Sequence, residues 1–258
     1  MAMRIASWNV NSIKVRLPII IDWLRGDHCD VLLMQETKSL DENFPRDVFA
    51  EAGWQVVFHG QKSYNGVAIA SRLPIGETMT GLPGDDSDDQ ARYIEATVGD
   101  IRLASIYLPN GNPAPGPKFD YKLKWMTRLH ARATDLLASE MPVVLGGDFN
   151  VIPADVDCYD PAGWVGDALT RPESRAAFRA LLNSGYADAF RSLYPTGVFY
   201  SYWDYQAGAW QRDNGLRIDH LLLSPEALDL LEDVGIDRGP RGLEKPSDHT
   251  PIWGKFSA

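Results

Sequence analysis

Six apolar segments of this 258-residue chain end on, or open from, polar residues that could do chemistry together. Trp8-Asn9 closes the first segment and Gln35-Glu36 the second, while Ile106-Tyr107 leads into Leu108-Pro109-Asn110-Gly111. Gly146-Gly147-Asp148-Phe149-Asn150 follows Val143–Leu145. Arg217-Ile218-Asp219-His220 opens another segment, and Ser247-Asp248-His249 precedes the last. Taken one at a time, Asp, Asn and Gly at such places are ordinary turn formers, and a His beside an Asp is ordinarily structural. Glu36 is harder to read that way, because glutamate turns poorly and here follows an apolar run. The paired glycines before Asp148 imply a backbone that approaches something closely.

Taken together, several carboxylates and amide oxygens make a hard oxygen site, which suits Mg²⁺ or Mn²⁺. Zinc would want cysteines or clustered histidines, and the five histidines (28, 59, 130, 220 and 249) are dispersed. A hard cation, an Asp able to take a proton and a His with a carboxylate partner describe metal-assisted hydrolysis of a phosphate ester. No phosphate-binding loop, dinucleotide fingerprint or Gly-x-Ser-x-Gly motif competes.

The elements that must position these residues are short. Strands are expected at Arg4–Trp8, Val31–Gln35, Gln55–His59, Val67–Ala70, Tyr93–Val98, Ile101–Tyr107, Val143–Leu145, Arg217–Leu223 and Ile252–Phe256. Several are nearly continuously apolar, as in strands covered on both faces. Helices are expected at Ile13–Arg25, with Pro18 in the first turn, at Phe119–Ser139, and at Glu173–Asn183. Long loops rich in Gly, Pro and Asp separate them, and such loops are where function sits. No repeat or linker divides the chain, so one domain spanning residues 1–258 is expected.

Composition closes off other classes. With 45% hydrophobic and 23% charged residues the chain is globular. No apolar run approaches the ~20 residues of a membrane span. The polar start and only 2 cysteines fit a cytoplasmic protein without a signal peptide. The net charge of −10 argues against a nucleic-acid partner, which usually meets a basic surface.

The motifs argue the other way. The ordered set Trp8-Asn9-Val10-Asn11, Gln35-Glu36-Thr37-Lys38, Asn65-Gly66-Val67-Ala68-Ile69, Tyr107-Leu108-Pro109-Asn110-Gly111, Gly147-Asp148-Phe149-Asn150, Gly215-Leu216-Arg217-Ile218-Asp219 and Ser247-Asp248-His249 resembles the exonuclease III family of apurinic/apyrimidinic endonucleases. Asn9, Glu36, Gly-Asp-x-Asn and Ser-Asp-His belong to the wider endonuclease/exonuclease/phosphatase superfamily. The DNA-repair branch is marked by Leu-Pro-Asn-Gly, by Lys118-Phe119 before Tyr121-Lys122-Leu123, and by Trp203-Asp204-Tyr205.

The resemblance implies a four-layer α/β sandwich of the deoxyribonuclease I type, two packed mixed β-sheets flanked by helices. It also implies roles. Glu36, Asp248, Asn9, Asp148 and Asn150 would surround Mg²⁺, for which Mn²⁺ could substitute. Asp148 would orient or deprotonate water, and His249, oriented by Asp219, would bind the phosphate. Tyr107 would stand near the leaving oxygen, while Lys38 and Asn110 would face DNA. Tyr202, Leu216 and Ile218 would line a pocket for a sugar lacking its base. Lys14, Arg16, Lys118, Lys122, Lys124 and Arg212 are further candidates for phosphate contact, and Trp203 and Trp210 read as packing residues.

The implied activity is hydrolysis of double-stranded DNA 5′ to abasic sites, with trimming of 3′-blocked ends, by a monomer with no membrane partner. Two alternatives are a superfamily phosphatase or sphingomyelinase acting on a small or lipid phosphoester, and a non-catalytic nucleic-acid-binding regulator. The sequence departs from some relatives at the Pro-rich Asn112–Pro117 loop and at Leu216, where they carry a basic residue and a Trp. The acidic run Asp85-Asp86-Ser87-Asp88-Asp89 is expected to be a solvated turn away from DNA. Setting its four acids and Glu36, Asp148, Asp219 and Asp248 aside leaves 25 basic against 27 acidic residues. That balance predicts weak non-specific grip and recognition by lesion shape.

Overall fold

The computed structural model describes residues 2–257. Its strands are β1 (Met3–Asn9), β2 (Val31–Gln35), β3 (Gln55–His59), β4 (Val67–Ser71), β5 (Ile75–Thr80), β6 (Tyr93–Val98), β7 (Ile101–Tyr107), β8 (Val143–Asp148), β9 (Ala187–Asp188), β10 (Asp219–Leu223), β11 (Leu231–Ile236) and β12 (Ile252–Phe256). They form two six-stranded sheets, in the orders β11-β12-β1-β2-β4-β3 and β5-β6-β7-β8-β10-β9. Each sheet has one parallel pair at its centre, β1 with β2 and β7 with β8, and its other pairs are antiparallel. A parallel pair needs a crossover. The helices α1 (Ile13–Arg25) and, later in the chain, Pro117–Leu137 lie in those two crossovers. The two sheets therefore repeat one plan that the sequence does not show as a repeat.

The side-chain period of two explains the layers. Ile5, Val31, Leu33, Val67 and Ile69 of the first sheet meet Ile94, Ala96, Leu103, Val144 and Leu221 of the second in one buried cluster. Ala6, Trp8, Leu32, Met34 and Ala68 point the other way, onto Ile20, Ile21, Trp23 and Leu24 of α1 and Phe49 of α2 (Arg46–Glu51). On the second sheet, Ala104, Ile106, Val143 and Leu145 pack against Trp125, Met126 and Leu129 of α3 (Pro117–Leu137) and Phe178 and Leu181 of α4 (Pro172–Asn183). This is the expected four-layer α/β sandwich. Strands buried on both faces have no reason to alternate, which is why they read as continuous apolar runs.

Gly146 and Gly147 owe their identity to these neighbours. A Cβ on Gly147 would stand 1.9 Å from the Ile106 carbonyl oxygen, and one on Gly146 would stand 2.6 Å from Leu33 Cδ1 of the facing sheet. The close approach is thus to β7 and β2, not to a ligand. Gln35 makes a polar link between the sheets. Gln35 Nε2 donates to Ser7 Oγ (3.1 Å) and to Ser105 Oγ (3.0 Å), fixing β1, β2 and β7 relative to one another just below Glu36.

Some elements differ from expectation. β5, β9 and β11 were unexpected, as were α2 and the short helices α5 (Ala189–Leu193) and α6 (Pro225–Asp229). Pro18 lies inside α1 rather than in its first turn. The strand expected from Arg217 begins at Asp219, because Arg217 turns inward onto Asp157 (2.7 Å) and Asp188 (2.8 Å). Both cysteines are buried and unpaired. No helix among the described residues is long and apolar enough to cross a membrane.

Candidate active site

The C-terminal ends of the two parallel pairs meet at one end of the sandwich. β1 delivers Asn9, β2 leads into Glu36, β7 ends on Tyr107 and β8 on Asp148. Antiparallel β10 starts at Asp219, directly opposite Asp148 in register. The loop before β12 brings Asp248 and His249. These positions line one cleft of about 240 Å³, with Glu36, Tyr107, Asn110, Asp148, Asn150, Tyr202, Leu216, Ile218, Asp248 and His249 in its wall. Asn9, Asp219 and Lys38 stand directly behind or beside them.

The hydrogen bonds make the cluster rigid. Asn9 Nδ2 donates to both Glu36 Oε1 (2.8 Å) and Asp148 Oδ2 (3.0 Å), tying the two sheets' carboxylates together. Asp148 Oδ1 accepts from the backbone N–H of Asn150 (2.9 Å), and Asn150 Nδ2 donates to the Leu108 carbonyl (2.9 Å). Asn110 Nδ2 donates in turn to Asn150 Oδ1 (3.1 Å). His249 Nδ1 lies 2.8 Å from Asp219 Oδ2, which also accepts from Ser201 Oγ (2.6 Å). His249 Nε2 points to Asp148 Oδ2 across 3.7 Å, too far for a hydrogen bond and open to a third group. Tyr202 packs edge-on against the imidazole at 4.9 Å.

Backbone strain collects here. Glu36, Lys38, Asn11 and Asn150 hold φ of 53°, 51°, 43° and 47°, in the left-handed region that side chains disfavour. Asn11 bridges two of the neighbouring groups: its Nδ2 donates to Asp248 Oδ1 (2.9 Å), and its Oδ1 accepts from Lys38 Nζ (2.6 Å).

Charge is set by burial and by neighbours. Burial raises Asp148, Asp219 and Glu36 raise it further, and His249 opposes them, leaving Asp148 at about 7. His249 is pulled down by burial, but Asp219 and Asp148 outweigh that and raise it to about 10, so the imidazole keeps its proton. Glu36 is pushed up by its burial yet ends below the usual carboxylate range, because Lys38 and Asn9 favour its charge. Tyr107 is held well above its ordinary value by burial and by the nearby Glu36 and Asp148, so it stays protonated.

The donor set fits a divalent cation. Glu36, Asp148 and His249 bring atoms within 4.8 Å of one another; the two carboxylates are hard oxygen donors for such an ion, whereas His249, protonated, offers it no lone pair and is left for the phosphate. Lys38 Nζ already rests on Glu36 Oε2 at 2.8 Å, a cationic group against the carboxylate that a metal would use. Asp248 is outside this trio and connects to Glu36 through Asn11 and Lys38 in turn.

The structure relocates several candidates. Leu216 and Ile218 are at once cleft wall and core, since both also pack with Phe119, Ile152 and Leu169. Lys122 is fully buried and faces no solvent or phosphate; its Nζ donates to the carbonyls of Asn110 (3.0 Å), Asn150 (2.6 Å) and Ala168 (3.3 Å). Arg16 holds the Pro246 carbonyl (2.9 Å) and the Tyr205 hydroxyl (2.7 Å). Trp203 is buried and Trp210 packs edge-on to it at 4.9 Å, as packing residues would. The acidic run is largely exposed, but Asp88 turns inward to Arg128 (2.6 Å) and Tyr121 (2.9 Å).

The cleft also holds Trp164, Leu169, Asn112 and Asp167, which sequence reasoning missed. Asn112 Nδ2 donates to Asp167 Oδ2 (3.1 Å), latching the loop after β7 to the loop before α4. The one signal that could have pointed to them is the length of the 153–170 loop.

Comparison with known proteins agrees with this geometry. Residues 6–249 match the Endonuclease/Exonuclease/phosphatase family. The chain belongs to that family. Within it, the chain is 33% identical to exodeoxyribonuclease III of Haemophilus influenzae over 98% of this chain and 100% of that protein. It superposes with a TM-score of 0.97 on the 3′ phosphatase NExo from Neisseria, solved bound to a product DNA hairpin, at 41% identity over 99% of this chain and 100% of that one. An AP endonuclease from Archaeoglobus fulgidus aligns with a TM-score of 0.95 at 35% identity, covering 99% of this chain and 100% of that one. This member of the endonuclease/exonuclease/phosphatase family therefore stands in the exonuclease III and AP endonuclease branch, and it is a nuclease, a phosphodiesterase by reaction.

Proposed function

We propose that the chain is an Mg²⁺-dependent phosphodiesterase of DNA repair that cleaves double-stranded DNA 5′ to abasic sites and trims 3′-blocked ends. In this reading it acts as a single-domain monomer in the cytoplasm. The observation that carries the proposal is the line Asp148–His249–Asp219 beside Glu36, set against an apolar wall of Tyr202, Leu216 and Ile218.

Mg²⁺, or Mn²⁺ in its place, would be held by Glu36 with Asn9, Asp148, Asn150 and Asp248, and would supply positive charge at a phosphate oxygen. The chain's own residues do the rest. Asp148, placed between Asn9 and His249 with its other oxygen fixed by the Asn150 N–H, is positioned to take the proton of an attacking water. His249, kept protonated by Asp219, donates Nε2–H to a non-bridging oxygen where negative charge develops. Tyr107 keeps its hydroxyl proton and can donate it to the leaving oxygen. Asn150, anchored through Leu108 and Asn110, orients the phosphate or the water. Rate comes from positioning and charge stabilisation more than from covalent chemistry.

Substrate choice follows from the wall beside this group. A sugar that has lost its base can enter an apolar pocket of this size, while Lys38 and Asn110 face the backbone. The test is incision of a duplex carrying one abasic analogue, with Mg²⁺ and with EDTA. Cleavage 5′ to the lesion only with Mg²⁺ supports the proposal; no cleavage with Mg²⁺ present overturns it.

A further inference from the structure

Arg16, half-buried near the start of α1, makes four hydrogen bonds, and among the described residues it pairs with no carboxylate. Its Nη1 donates to the Asn11 carbonyl (2.7 Å), and its Nη2 donates to the Tyr205 hydroxyl (2.7 Å) and the Pro246 carbonyl (2.9 Å). Nε reaches the same Pro246 carbonyl (3.3 Å). A guanidinium has five N–H groups, so little of this one is left for a ligand. The Tyr205 hydroxyl donates in turn to the Pro246 carbonyl (2.8 Å) and accepts a long bond from Asn11 Nδ2 (3.3 Å). Three donors therefore converge on one carbonyl, and three segments distant in sequence meet at one side chain.

Two of those segments carry polar groups of the candidate cation site. Asn11 joins Asp248 to Lys38, and Lys38 rests on Glu36. Pro246 stands two residues ahead of Asp248. The backbone is strained on both sides of this junction: Asn11, Ser12 and Lys245 hold φ of 43°, 92° and 51°. Such conformations persist where the surrounding contacts over-determine them. Arg16 supplies those contacts, since it grips the carbonyl of Asn11 itself and that of Pro246, the residue after Lys245.

We infer that Arg16, together with the Tyr205 hydroxyl, is a positioning residue for the divalent-cation site. It fixes Asn11 and Asp248 relative to Glu36 and touches neither cation nor phosphate itself. This role rests on the reading of Glu36 and Asp248 as cation ligands. It also takes Arg16 out of the set of cations available to a DNA backbone, because its charge is spent on carbonyls and a hydroxyl of its own chain.

The test titrates Mn²⁺ into the metal-free full chain and reads the EPR signal of the free ion. Wild type is compared with Tyr205→Phe, Arg16→Met, the double variant and Arg72→Met. Arg72 is a control at the opposite end of the first sheet, where it holds the Leu24 carbonyl (2.8 Å) and Asp27 (2.5 Å). The Mn²⁺ Kd should rise about threefold for Tyr205→Phe and about tenfold for Arg16→Met, the scale of one or two net hydrogen bonds. The double variant should rise by less than the product of the two, because both side chains hold the Pro246 carbonyl. Arg72→Met should keep the wild-type Kd. Tyr205 is exposed, so Tyr205→Phe keeps the fold and gives an answer even where Arg16→Met does not. The slope of log duplex affinity against log salt, measured in EDTA, should be the same in wild type and Arg16→Met. A Mn²⁺ Kd unchanged in Tyr205→Phe and Arg16→Met, with only the denaturant midpoint lowered, overturns the role. So does a flatter salt slope in Arg16→Met with Mn²⁺ binding kept, which would make Arg16 a phosphate contact. Wild type that binds no Mn²⁺ overturns the cation reading as well.

Discussion

Replacing Asp219 by Asn tests how the site keeps His249 charged. Asp219 Oδ2 stands 2.8 Å from Nδ1 of an imidazole that is fully enclosed, with Ser201 Oγ fixing the carboxylate from behind. Asn matches the carboxylate in shape and can still accept from Nδ1–H, so the change removes charge rather than packing. An opposite charge at this distance shifts a buried group by about one to three pH units. His249 should therefore titrate clearly below its native value of about 10. The sign is definite, because losing the anion favours the neutral ring. Where the ring stays protonated, weakening a charge-assisted bond to a neutral one costs about 1–2 kcal/mol, or roughly tenfold in rate. Above the new midpoint the loss deepens with each pH unit. The direct assay is the ¹⁵N signal of the His249 ring in metal-free protein from pH 5 to 11, alongside single-turnover rates. If His249 titrates at the same pH in Asp219→Asn, the reasoning fails, whatever the rate does.

Other outcomes follow from the same geometry. Lys122→Met leaves the Asn110, Asn150 and Ala168 carbonyls without their shared donor; at about 1–3 kcal/mol for an unsatisfied buried group, its denaturant midpoint should drop clearly and its maximal rate more than tenfold. Gly147→Ala drives a methyl into the Ile106 carbonyl, so expression in soluble form should collapse, whereas Gly53→Ala, with open space around it, should cost little beyond the strain of its φ of 83°. His220 is buried beside Arg217 and lowered to about 4, so it is neutral in the fold. Its contribution is present above the unfolded value near 6.5 and is lost as pH falls through 4; chemical denaturation at pH 7, 5.5 and 4 should show that decline, and His220→Phe should lessen it.

How much of this was legible in the sequence depends on where each residue sits in the sandwich. Asn9, Glu36, Tyr107 and Asp148 end or directly follow central strands that are nearly continuously apolar, so the polar residue at each end stands out. β5 and β11 are edge strands with half-exposed faces and a register shift, and β9 has only two residues; none carries an apolar run. Lys122 falls on the buried face of α3, in step with Phe119, Met126, Leu129 and Ala133, and only its charged side chain made it read as a surface residue. Trp164 and Asp167 stand in a turn-rich loop with no periodicity, placed by the Asn112 latch rather than by any local signal. Arg217 reads as a strand residue and is instead the centre of a buried ion cluster with Asp157 and Asp188.

The central claim is that Asp148, with His249 and Asp219 behind it, performs phosphodiester hydrolysis next to the apolar pocket. The most direct measurement is the single-turnover rate of wild type and Asp148→Asn on a duplex with one abasic analogue, at saturating enzyme and Mg²⁺. The account predicts incision 5′ to the lesion by wild type and a loss of about 10²–10³-fold or more in Asp148→Asn, with duplex affinity kept. An Asp148→Asn enzyme that cuts at the wild-type rate would contradict it.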